Sequence, residues 1–390
     1  MNLKEGNIDA KLAANIRISV KVFFFISGFI FATWASRIPA LQQKLQLSDA
    51  ELGSLLSTLP AGLMVSMPLA AYLVSKFNSR HIMLIGAILY VSLICFVGLA
   101  TNTWQVAIIL FVFGASRNLF NISINTQSIG VQELYDKSII ASFHGIWSIA
   151  GFTGAAFASL LISLGVLPIY HFIIVGSIVL FLIVLFWGTT LKSQTAKTNN
   201  GPVFVLPDKV LMKLGLIAFC SMICEGTMSD WSGIYFSKVL HASKEMVNMG
   251  YVAYLSCMTT GRLIGDWMAN KFGKKKLLFF SSLLLCIGAG MIAFFHAIGP
   301  AILGFMFCGL GVSCIVPFVF SIAGTNASMP RSSAIAAVST IGYFGFLIGP
   351  PFIGFLSSAV GLASSYLFIM MMAAVIGYLV SRIKSPTSQF

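Results

Sequence analysis

The chain has 390 residues and a formal net charge of +13, yet only 9% of its residues are charged while 58% are hydrophobic, and its mean hydropathy is +0.93. A soluble globule carries roughly 25% charged residues, so this composition excludes one and describes a polytopic membrane protein.

Apolar runs long enough to cross about 30 Å of hydrocarbon occur at 19–41, 49–75, 80–100, 103–129, 138–164, 167–189, 210–238, 245–270, 274–297, 299–325, 332–357 and 361–384. They are helix-length and apolar all round, whereas barrel strands are about ten residues with in/out alternation. The expected fold is therefore an all-α membrane protein of twelve transmembrane helices. Lys and Arg gather on the cytoplasmic side of such proteins. With the N-terminus placed inside, eighteen Lys and Arg residues fall in inside segments and only Arg37, Lys44, Lys238 and Lys244 in outside loops. Both termini are expected in the cytoplasm.

The chain repeats itself. Leu73-Val74-Ser75-Lys76-Phe77-Asn78-Ser79-Arg80 resembles Met268-Ala269-Asn270-Lys271-Phe272-Gly273-Lys274-Lys275 at an offset of 195, half the chain length. Ser48-Asp49-Ala50-Glu51, a capping box opening the second span, corresponds to Ser243-Lys244-Glu245. This predicts two pseudo-symmetric six-helix halves, 1–190 and 210–390, joined by a polar cytoplasmic linker at 191–209. In parallel-repeat transporters the substrate site lies at mid-depth between such halves.

Residues able to carry chemistry are few, and they follow in chain order. In the first span Trp34 is able to stack on a solute ring, with interfacial anchoring as the alternative reading for it and for Trp231. On the fourth span Arg117, Asn121 and Asn125 follow at i, i+4 and i+8 with Asn118 beside them, so amides and one guanidinium share a helical face. Such a stripe suits hydroxyl-bearing or anionic solutes, although Asn side chains also simply join helices. His144 on the fifth span is placed either to relay protons or to make a structural hydrogen bond.

The seventh span carries two acids, Glu225 near mid-depth and Asp230 about 7.5 Å further along the axis. An intramembrane carboxylate costs about 2.5–3.5 kcal/mol on insertion scales and normally faces a cavity or a partner. Glu225 is therefore assigned to proton coupling, and Arg117, at a similar depth in its own span, is its expected partner. Arg262 and Asp266 lie four residues apart on the eighth span, with a local ion pair as one reading. Tyr343 on the eleventh span is a further solute-stacking candidate. No nucleotide loop, catalytic triad or metal-ligand cluster stands out, so no enzyme, cofactor, metal or nucleic-acid partner is expected.

Two six-helix halves with basic loops after the second and eighth spans resemble the major facilitator superfamily. Ser75 and Asn270 stand where that family's loop acid usually is, and Ala71 and Asp266 where its first glycine would be. Trp34-Ala35-Ser36-Arg37-Ile38-Pro39, Asn125-Thr126-Gln127, His144-Gly145, Glu225 to Ser232, Gly261 to Asp266 and Gly342 to Pro351 are similar to the MosC/YbjJ-like branch. Asn121 replaces an acid often found in that branch, and the acid that sugar permeases carry on the first span is missing. The resemblance implies a transporter in the bacterial inner membrane, working as a monomer. It implies a small polar solute such as a sugar, polyol or derivative, with protons as the coupling partner. Efflux of amphipathic compounds, suggested by 34 Phe and 17 Met, and a non-transporting receptor or scaffold are the alternatives. In that fold the first and seventh spans meet on the outside, which pairs Arg37 with Asp230 as a gate, with snorkelling of Arg37 and local capping of Asp230 by Ser232 or Trp231 as the other reading; Arg262 and Asp266 are counted with the gating residues.

Overall fold

A computed structural model of the chain describes residues 10–135, 139–192, 208–325 and 331–383. Most of the expected linker lies outside the described residues. Every regular element among the described residues is helical, in the order α1 Ala10–Ala35, α2 Ile38–Leu45, α3 Asp49–Leu56, α4 Thr58–Lys76, α5 Ser79–Leu99, α6 Thr103–Gln132, α7 Ile140–Ser163 and α8 Pro168–Trp187. Then follow α9 Lys209–Ile234, a π-helical turn Tyr235–Val239, α10 Met249–Phe272, α11 Lys274–Phe294, α12 Ile298–Ser313, α13 Ile315–Ala323, α14 Arg331–Val360 and α15 Leu362–Ser381.

Eleven described segments are long and apolar enough to cross a membrane, several of them made of two consecutive helices, such as α1 with α2 and α3 with α4. The remaining expected span, at 245–270, coincides with α10. At 24 residues α10 is long enough to cross, but Arg262 and Asp266 make it more polar than the rest. The chain is an all-α, multi-pass membrane protein.

Local chemistry sets the helix starts. Ser48 accepts a hydrogen bond from the Glu51 amide while the Glu51 side chain accepts from the Ser48 amide, so the expected capping box forms. In its repeat counterpart the Ser243 hydroxyl bonds the Glu245 carboxylate and holds it below the usual carboxylate range. Asn102 caps α6, and Asp208 caps α9 by accepting from the Val210 and Leu211 amides.

The described chain forms two compact units, one over Met1–Trp34 and Thr58–Thr198, the other over Ala35–Ser57 and Asn199–Phe390, each as far as its residues are described. Residues 35–57, from the first half of the sequence, are thus built into the second unit. In the first unit α4 and α5 pack on α6, and α8 packs on α5. In the second, α10 and α11 pack on α12, α15 on α11, and α14 on both α9 and α3.

The 195-residue repeat reaches down to single atoms. A Cβ on Gly114 would overlap the Leu59 carbonyl oxygen and meet the Leu63 nitrogen at 3.1 Å. A Cβ on Gly309, 195 residues later, would overlap the Tyr254 carbonyl oxygen and meet the Met258 nitrogen at 3.1 Å. Tyr254 and Met258 are themselves the 195-residue counterparts of Leu59 and Leu63. Each unit therefore brings one helix backbone against another at a glycine, the device by which membrane helices approach closely.

Candidate functional site

In the first unit the fourth-span stripe is present on α6, and its members divide by occupation. Asn118, 6% exposed, donates from Nδ2 to the Ser66 hydroxyl of α4 at 3.1 Å. Asn121 accepts the Ser27 hydroxyl of α1 at 2.8 Å, and Asn125 donates to the Asn121 carbonyl at 2.7 Å. Helix joining thus takes up much of the amide capacity. Arg117 is different. Its guanidinium lies 4.0 Å from the Phe31 ring centroid, and its Nε is buried without a hydrogen-bond partner among the described residues. Tyr90 of α5, stacked on Phe113 at 4.4 Å one turn before Arg117, also keeps a buried hydroxyl without a partner.

His144 stands exposed on α7 with its ring edge-on to Phe24 at 5.4 Å. Trp34 is 2% exposed and meets Phe113 edge-on at 6.3 Å, while Trp231 is fully buried. Both indoles are enclosed by protein, which speaks against the anchoring reading for both and leaves Trp34 little free surface for a solute ring.

In the second unit Glu225 of α9 faces Arg262 of α10, with Oε1 3.5 Å from a terminal guanidinium nitrogen. Neither is sealed, the two side chains being 18% and 23% exposed. Tyr254, Met258 and Arg262 follow at i, i+4 and i+8 on α10, so the buried Tyr254 hydroxyl, which has no partner among the described residues, lies two turns from the guanidinium on one face. Glu225 therefore has a cationic partner inside its own unit. Sequence reading supplied both residues but not their pairing. Asp266 is exposed and Tyr343 of α14 half-buried.

A second polar centre, which sequence reading missed, gathers on Asp49 at the start of α3. Its Oδ1 accepts from Lys238 Nζ at 2.7 Å and from Gln42 Nε2 at 2.8 Å, and its Oδ2 accepts the Ser357 hydroxyl of α14. The adjoining Ala50 amide donates to Ser358 Oγ at 3.1 Å. Lys238 sits in the π turn that prolongs α9, a widened turn often found at functional places. Beneath this centre α3 crosses α14 at Gly53 and Gly354, where a Cβ on Gly53 would overlap the Pro350 carbonyl and one on Gly354 the Asp49 carbonyl. Arg37, 5% exposed, precedes α2, and two residues on Pro39 packs against Gly233, where a Cβ would come within 2.8 Å of Pro39 Cγ. Asn248 donates to Ser36 at 3.0 Å on the same side. The one available signal for Asp49 was its acidic side chain in a first helical turn, beside the Ser48–Glu51 capping box that already gave the segment a role.

Comparison with known proteins fits this architecture. The chain matches the Major Facilitator Superfamily over residues 22–329 and 214–389. It is 34% identical to an uncharacterised MFS-type transporter of Yersinia pestis, covering 90% of this chain and 91% of that one. It is 29% identical to the membrane protein MosC of Rhizobium meliloti, covering 95% and 91%. Among solved structures it is similar in fold to a bacterial homologue of the human lysosomal transporter Spinster, with a TM-score of 0.80 at 14% identity, covering 97% of this chain and all of that one. The chain is a transporter and belongs to the Major Facilitator Superfamily, in a MosC-like branch.

Proposed function

We infer that this transporter moves a small polar organic solute by alternating access, with proton coupling at Glu225. The observation that carries this reading is the Glu225–Arg262 pair, held at 3.5 Å with both side chains partly open. A carboxylate at such depth is maintained only where it serves a partner or a pathway. One that is paired loosely and accessibly is able to exchange its cation for a proton. The stripe of Arg117, Asn121 and Asn125 supplies the directional polar groups for the solute.

On the orientation expected from the Lys and Arg distribution, both termini lie in the cytoplasm of a bacterial inner membrane and the Asp49 centre lies outside. There it acts as a latch that secures the outer side while the solute is handled from within. Arg37 and Asp230, on segments that touch through Pro39 and Gly233, extend this outer gate.

The test is uptake by proteoliposomes with and without an imposed proton gradient, on solutes chosen by a thermal-shift screen of sugars, polyols and drugs. Gradient-driven accumulation of a polar solute is expected. Binding of drugs alone, with outward movement, would replace this reading by efflux, and binding without any movement would replace it by a receptor.

A further inference from the structure

The described charges of the first unit are strongly one-sided. Lys11, Arg17, Lys21, Lys76, Arg80, Arg117 and Lys192 face a single acid, Glu133. Glu133 is the C-cap of α6, sixteen residues beyond Arg117 on the same helix, about 24 Å at 1.5 Å per residue. Arg117 is therefore a cation deep within a membrane-spanning helix, and the described residues of its own unit offer it no carboxylate nearby. What it has instead is the Phe31 face at 4.0 Å, a buried Nε without a partner among the described residues, and, one turn earlier on α6, Phe113, on which Tyr90 stacks with its own hydroxyl unpartnered.

An aromatic face eases a guanidinium without neutralising it, and a charge at that depth is otherwise expensive. The other intramembrane arginine, Arg262, has its carboxylate in Glu225. The 195-residue repeat puts Val312 at the position equivalent to Arg117 and Ile30 at that of Glu225. Neither charge is a remnant of symmetry, so each is particular to its own half.

Resting on the reading that this stripe binds the solute, we propose that Arg117 holds an anionic group, so that the substrate is a small hydroxylated organic acid and not a neutral sugar or polyol. The planar guanidinium matches a carboxylate with two parallel hydrogen bonds. Asn121 Nδ2 and Asn125 Oδ1, the half-buried ends of the stripe left over from helix joining, take the hydroxyl groups one and two turns further along α6.

The experiment uses purified full-length protein and paired probes, glucose with gluconate, galactose with galactonate and myo-inositol with glucuronate, in thermal-shift titrations. The wild type is compared with Arg117→Gln, Arg117→Lys, Asn121→Ala, Glu225→Gln and the Arg117→Gln/Glu225→Gln pair. At least one acid is expected to stabilise the wild type while its neutral counterpart does not. Arg117→Gln then weakens that acid about 50-fold, the loss expected when a charge-assisted pair is removed. Arg117→Lys recovers part of the binding. The unliganded melting temperature of each variant separates lost binding from lost folding.

Equal binding of a neutral sugar by wild type and Arg117→Gln, abolished by Asn121→Ala, would overturn the proposal and leave the transport reading standing. Restoration of binding in the Arg117→Gln/Glu225→Gln pair would also overturn it, by showing that Arg117 answers to Glu225 and not to the solute. Absence of any binder among the acids would overturn it as well. Only the further absence of gradient-driven uptake of every probe would count against the transport reading.

Discussion

Lys238 places its ammonium 2.7 Å from Asp49 and so ties the end of the seventh span to the start of the second. Gln42 and Ser357 bring α2 and α14 to the same carboxylate. The Lys238 side chain is 45% exposed, so water screens the charge pair and it contributes at most about 1 kcal/mol. A contact this weak suits the proposed latch, which would have to open in each transport cycle.

The first prediction follows from this number. Asp49→Asn or Lys238→Gln shifts the ratio of outside-open to outside-closed protein by up to about fivefold, the limit that about 1 kcal/mol sets. A cysteine at Ser232, a fully buried position, in an otherwise cysteine-free background reports the shift as faster labelling by an external maleimide. The double variant should label no faster than either single one. Additive rates would show that the two residues act separately.

The glycine crossing below the latch behaves differently, because its constraint is steric. A Cβ at Gly354 meets the Asp49 carbonyl, part of the backbone, whereas a Cβ at Gly290 meets only Met370 Sδ at 3.3 Å, the flexible end of a side chain. Gly354→Ala is expected to force α3 and α14 apart at a cost of about 1–3 kcal/mol, visible as faster Ser232→Cys labelling. Gly290→Ala should leave labelling unchanged. Equal behaviour of the two variants would remove the crossing from the gate.

Much of the fold was legible in the sequence, and the residues show why. Span lengths, the capping box at Ser48 and Glu51, and the repeat are local or periodic properties, and the repeat persists to the backbone contacts of Gly114 and Gly309. Pairings between distant segments were harder. Arg117 and Glu225 looked complementary because each is a lone charge at a similar depth, yet depth says nothing about helix rotation, and Glu225 meets Arg262. Trp34 and Trp231 look like interfacial anchors in sequence, since burial inside a bundle and residence at a membrane surface both favour an indole near a helix end. Asp49 was hidden because it sits between Ser48 and Glu51, whose capping box gave the segment a sufficient local role.

Arg262 carries the third prediction. Arg262→Gln leaves the Glu225 carboxylate without its cation, and Arg262→Lys keeps the charge but loses the planar fork. Accumulation driven by a proton gradient should fall at least tenfold in Arg262→Gln and by less in Arg262→Lys, while solute binding measured by thermal shift stays within a few-fold of wild type. Unchanged accumulation in Arg262→Gln would mean that the ion pair only joins α9 to α10.

If Glu225 couples solute movement to protons, removing its titratable group uncouples the two. The most direct measurement compares two modes of transport in Glu225→Gln proteoliposomes, solute exchange at equal pH and uphill accumulation driven by an imposed proton gradient. A glutamine keeps the shape and hydrogen-bonding reach of the side chain but cannot gain or lose a proton. Exchange within a few-fold of wild type and no accumulation above equilibrium are expected. Accumulation at the wild-type level in that variant would contradict proton coupling at Glu225.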